Sequence, residues 1–141
     1  MVSLSAISLA SNIIDFIGFS WGLIKGTKEI YRSTKGTLDE NERLEVVIRD
    51  LGRISKNLSR DTTGSTDSEL AVKQLAEDCR EDSAQLLAHL EKLKVRGQIT
   101  IWKSLKSKFL SLMSKDEIDA LKGRLEFYRS EINTNLILIL Q

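Results

Sequence analysis

Cys79 is the sole cysteine and His89 the sole histidine, the residue types that would pair as thiol nucleophile and imidazole base. Ten positions apart on one helix, they lie roughly 15 Å apart along its axis, so neither can activate the other. No second His or Cys completes a zinc site, and no Gly-x-x-x-x-Gly-Lys-Ser/Thr loop cradles a phosphate. Carboxylate pairs such as Asp78 and Glu81 read as helix-surface charge. Cys79 is expected in the core and His89 at the surface. The sequence is therefore read as a non-enzyme, with no catalytic, cofactor-binding or metal-binding residues.

The elements that position these residues are helical. The chain has 141 residues, 41% hydrophobic and 29% charged, with a formal net charge of +1 and no proline. One core suffices at that length, and nothing interrupts a helix by removing an N–H. A lone cysteine favours a reducing, cytoplasmic setting. The run Met1 to Ile24 lacks a positive flank and is not read as a signal peptide. Asn57-Leu58-Ser59 is read as a chance sequon. The apolar run Leu136 to Leu140 ends the chain in mid-helix, the pattern of a fragment of something longer.

Hydrophobic periodicity predicts a first helix from about Ser3 to about Ser33. Ser8, Ser11, Asn12, Asp15, Gly18, Gly22, Gly26 and Glu29 form its narrow polar or small stripe. The wide apolar arc includes Ile7, Leu9, Ile13, Ile14, Phe16, Ile17, Trp21, Leu23 and Ile24. Thr37 with Glu40 predicts a capping box, then a second helix to about Arg60 with the seam Leu44, Val47, Leu51, Ile54 and Leu58. Thr66 with Glu69 opens a third helix carrying Leu70, Leu75, Cys79, Leu86, Leu90 and Leu93, stopped at Gly97. A short amphipathic helix over 99–113 sets Ile101, Trp102, Leu105 and Phe109 against Lys103, Lys106 and Lys108. Ser114 with Glu117 then opens a last helix holding Ile118, Leu121, Leu125, Tyr128, Ile132 and Leu136. The predicted fold is an all-α antiparallel bundle of four long helices plus one short one, a single domain over 1–141.

Three features point beyond folding. Gly18, Gly22 and Gly26 repeat the spacing that lets another backbone approach closely, within the bundle or between copies. Met1 to Ile24 would be about 36 Å long as a helix, enough for a hydrocarbon core of about 30 Å, with Asp15 its only charge. Between Glu91 and Asp116 there is no acidic residue, while Lys92, Lys94, Arg96, Lys103, Lys106, Lys108 and Lys115 occur there. Beside Trp102 this block reads as an interfacial lipid-binding segment or as a solvated face. No recognition-helix motif or stacking platform supports nucleic acid.

The opening Met1-Val2-Ser3-Leu4-Ser5-Ala6-Ile7-Ser8-Leu9-Ala10-Ser11-Asn12-Ile13-Ile14-Asp15-Phe16 resembles the HeLo-like N-terminal domains that precede NACHT or NB-ARC ATPases in fungal NLR-type (STAND) receptors. Lys25-Gly26-Thr27-Lys28-Glu29-Ile30-Tyr31, the run Leu86 to Lys94, Trp102 to Phe109 and Ser114-Lys115-Asp116-Glu117-Ile118 extend the likeness over nearly the whole chain. The resemblance implies a cell-death executor of fungal innate immunity and heterokaryon incompatibility. Its architecture would be similar to the four-helix domain of the mixed-lineage kinase-like pseudokinase and to plant resistance helical domains. Such a domain would relocate from cytoplasm to plasma membrane, bind anionic lipids and form a homo-oligomer. Leu4, Ile7, Ile13, Ile14, Phe16, Ile17, Gly18, Trp21, Gly22 and Gly26 would serve insertion and assembly. Lys92, Lys94, Arg96, Trp102, Lys103, Lys106 and Lys108 would serve lipid binding. The competing expectation is a soluble adaptor that recruits a partner through a helix face.

Overall fold

A computed structural model describes residues 4–25, 40–59, 65–96 and 113–141. Four helices occupy them: α1 (Leu4–Lys25), α2 (Glu40–Leu58), α3 (Asp67–Arg96) and α4 (Lys115–Leu140). No strand occurs among the described residues. The continuation of the first helix to Ser33, the Thr37 cap, the Gly97 stop and the short helix over 99–112 lie outside them.

Local chemistry sets two of the helix starts. Thr66 Oγ1 accepts from the Glu69 N–H at 3.2 Å, and the Thr66 N–H donates to Glu69 Oε1 at 3.2 Å. Ser114 Oγ accepts from the Glu117 N–H at 3.1 Å, and the Ser114 N–H donates to Glu117 Oε1 at 3.3 Å. Each box satisfies two backbone donors that a bare helix end would strand. Ser114 itself is extended, with φ −68° and ψ 161°, before the chain turns helical.

The apolar seams meet in one core. Leu9, Ile13 and Phe16 of α1, Leu44, Val47 and Leu51 of α2, Val72, Cys79 and Leu90 of α3, and Leu121, Leu125 and Ile132 of α4 belong to a single buried cluster. α1 and α3 each pack against all three other helices and form the diagonal of the bundle. Two ties give the α3–α4 register: Asp82 with Arg124, and His89 with Glu117. Advancing along α3 from 82 to 89 retreats along α4 from 124 to 117, so these two helices run antiparallel.

One seam position is corrected. Leu70 is 49% exposed, because it lies in the first turn of α3 on the side turned away from the core. Three positions in the wide apolar arc of α1 also depart from burial: Ile14 is 47% exposed, and Ile7 and Trp21 are half-buried. In their place Ser20, 0% exposed, sits in the middle of the buried face of α1.

Candidate functional site

Helix α1 runs for 22 residues without a Gly–Pro break, roughly 33 Å. From Ser5 to Lys25 it is long and apolar enough to cross a bilayer, a property that core helices of soluble bundles share. Its buried side carries Ala6, Leu9, Ala10, Ile13, Phe16, Ile17, Phe19, Leu23 and Ile24. Its outer edge presents Ser8, Ser11, Ile14, Asp15, Gly18 and Lys25.

The residues expected to act together in insertion and assembly divide between these two sides. Ile13, Phe16, Ile17 and Gly22 are buried, Trp21 and Ile7 are half-buried, and Ile14 and Gly18 are exposed. The glycine ridge is thus not one surface. Each step of four residues rotates about 40° around a helix of 3.6 residues per turn, which carries the series from the outer edge at Gly18 inward to Gly22. A Cβ built on Gly18 would meet nothing within 4 Å, so contacts among the described residues do not require glycine there. Gly26 lies outside the described residues, and Leu4 forms the first turn of α1.

A polar tie joins α1 to α2, and a cation–π contact lies within α1 itself. Asn12 Nδ2 donates to the Asn57 carbonyl of α2 at 3.3 Å, and Lys25 Nζ stands 4.9 Å above the Trp21 ring centroid. Buried Ser20 Oγ has no hydrogen-bond partner, and such a hydroxyl costs about 1–3 kcal/mol in an apolar surrounding.

Of the expected lipid-binding set, Lys92 is exposed on α3, and Lys94 and Arg96 belong to its last turns. Trp102, Lys103, Lys106 and Lys108 lie outside the described residues.

The sequence reading missed a partly buried ionic cluster between α3 and α4. Arg124 Nε donates to both Asp82 oxygens at 3.1 Å, and its terminal nitrogen reaches Oδ1 at 3.0 Å. The Tyr128 hydroxyl donates to Asp82 Oδ2 at 2.6 Å. Burial, then the bond to Asp82, pushes the Tyr128 phenol far above its ordinary value. The hydrogen bond to Asp82 likewise raises the Arg124 guanidinium. Cys79 sits one turn before Asp82; burial first and the Asp82 charge second push its thiol well up, so it is an inert core residue rather than a nucleophile. The signal was present in the spacing, for Leu75, Cys79, Asp82, Leu86 and Leu90 continue one seam with a carboxylate inside it. A second polar contact, Ser83 Oγ to Ser55 Oγ at 2.9 Å, ties α3 to α2.

His89 is less exposed than expected, its side chain at 19%; Nδ1 donates to the Gln85 carbonyl at 2.8 Å, and Nε2 is 3.9 Å from Glu117 Oε2. Among the described residues no group of three His, Cys, Asp or Glu side chains could hold a metal ion. No protein-family model, curated protein or solved structure matches the chain.

Proposed function

We propose that this chain is the membrane-targeting effector domain of a fungal NLR-like receptor, HeLo-like in kind, that kills cells by assembling and disrupting the plasma membrane through α1. It is a non-enzymatic domain whose partners are further copies of itself, anionic lipids and a C-terminal NACHT or NB-ARC domain. It moves from cytoplasm to plasma membrane on activation.

The observation that carries this reading is the double character of α1: apolar and long enough to span a bilayer, yet packed with its apolar side inside the bundle. Exposing Leu9, Ile13, Phe16, Ile17, Phe19, Leu23 and Ile24 to water would cost about 1.5–3 kcal/mol each. The sum, roughly 10–21 kcal/mol, is as large as the roughly 5–15 kcal/mol that holds a domain folded. Helix α1 therefore leaves the bundle only where another apolar phase receives it, a bilayer or its own copies. Asp15 and Gly18, on the outer edge of the bundle, would then face water or neighbouring helices rather than lipid.

The test is dye leakage and co-sedimentation with vesicles of phosphatidylserine and phosphatidylcholine against phosphatidylcholine alone. Binding and leakage that need the anionic lipid and fade with salt support the proposal. A domain that neither binds nor permeabilises either vesicle overturns it. The adaptor reading draws on one observation of its own, the exposed Phe127, Ile137, Leu138 and Leu140 on α4; it requires partner capture without any lipid affinity.

A further inference from the structure

The outer face of the α3–α4 pair is a groove with a distinct chemistry. Along it lies the cluster of buried Asp82 and Tyr128 with half-buried Arg124, and the depressions on either side share Asp82, Gln85 and Arg124. On the α3 wall Asp78 and Glu81 add two carboxylates beyond the one that Arg124 neutralises. On the α4 wall Phe127 is 55% exposed, its ring edge-on to Tyr128. The face thus offers an exposed apolar anchor, Phe127, with net negative charge beside it.

A cationic segment with apolar side chains at helical spacing is the complement of such a groove, and this chain carries one. Residues 99–112 hold Lys103, Lys106 and Lys108 with Trp102, Leu105 and Phe109, and no acidic residue lies between Glu91 and Asp116. We propose that the α3–α4 groove receives segment 99–112 of a second copy of this chain. Phe127 contacts the apolar side chains of that segment, and Asp78 and Glu81 face its lysines. Groove and segment are different surfaces, so the contact is head-to-tail and generates rings or filaments rather than a closed symmetric dimer. The same lysines cannot face an anionic leaflet while they occupy the groove, so assembly in solution and lipid binding compete. The proposal goes beyond the membrane reading and does not depend on it.

Sedimentation velocity on the whole chain, without lipid and at low salt, tests it. Wild type should associate more as concentration rises and less as salt rises. Glu81→Lys, and separately Lys103→Glu with Lys106→Glu, should each lower the association constant about tenfold. An equimolar mixture of these two variants should recover dimers and higher species, since the first keeps a working segment, the second a working groove, and the two reversed charges complement each other. Phe127→Ser, an exposed change with no charge, should weaken wild-type association similarly while the far-ultraviolet circular dichroism stays unchanged. A wild-type chain monomeric at all concentrations overturns the proposal, including the case in which the segment folds onto its own groove. Association untouched by the groove variants, or no dimer in the mixture, overturns it as well.

Discussion

Replacing Asp82 with alanine removes the acceptor at the centre of the α3–α4 contact. The carboxylate is buried, with 8% side-chain exposure, and it receives Arg124 and the Tyr128 hydroxyl. Breaking a buried ion pair costs about 3–5 kcal/mol when the remaining charge is stranded. Arg124 is not stranded, because its side chain is 42% exposed and water takes over much of its solvation. The Tyr128 hydroxyl is buried and loses its partner, a penalty of about 1–3 kcal/mol. The expected loss is therefore about 2–3 kcal/mol, or roughly 6–12 °C in melting temperature for a domain of this size. Asp82→Asn keeps an acceptor and should lose about 1 kcal/mol. Glu77→Ala, which deletes an exposed pair with Arg80 on the same helix, should leave the melting temperature unchanged. Urea denaturation followed by circular dichroism measures all three. If Asp82→Ala and Glu77→Ala have the same midpoint, the cluster does not tie α3 to α4.

Tyr128→Phe should alter the alkaline limb of stability. The folded phenol titrates above its unfolded value, so its contribution is complete below about pH 10 and is lost as pH rises beyond it, where the unfolded chain releases the proton more readily. Melting curves between pH 8 and pH 11.5 should show a steeper fall for wild type than for Tyr128→Phe; parallel curves would contradict this. Gly18→Ala should stabilise the fold by about 0.5–1 kcal/mol, since the site is open and alanine is the better helix former. Gly18→Leu should likewise leave the fold intact but reduce assembly or killing in cells, and undiminished killing would deny the outer edge of α1 a role in self-contact.

Much of the fold was legible from periodicity. Ile13, Ile17, Leu44, Leu51, Ile54, Leu75, Leu86, Leu90, Leu121, Leu125 and Ile132 were expected inside and are buried. The boxes at Thr66 and Ser114 were legible because two reciprocal bonds fix residue types at a set spacing. What failed is instructive. Leu70 shares the residue type of the seam but not its angle, so composition misled where geometry decided. Asp82 occupies a seam position that hydrophobic patterning skips, and its partners lie on another helix, so no local pattern announces them. The split of the glycine series follows from the 40° drift per four residues, which spacing alone hides. Ser20, buried among apolar neighbours, has the size of a core residue on a crowded helix face rather than the polarity of one.

The central claim is that α1 must leave the bundle to act. The Asn12 side chain of α1 meets the Asn57 carbonyl of α2, which makes these positions the natural ends of a reversible tether. The double variant Asn12→Cys with Asn57→Cys should be bridged by a bismaleimide whose spacer holds a disulfide, intact in the oxidised form, leaving Cys79 untouched because it is fully buried. Dye release from phosphatidylserine-containing vesicles should be abolished in the oxidised protein and restored by reductant, with the circular dichroism of both forms alike. Equal leakage from the oxidised and reduced proteins would contradict the account, since α1 would then act without parting from α2.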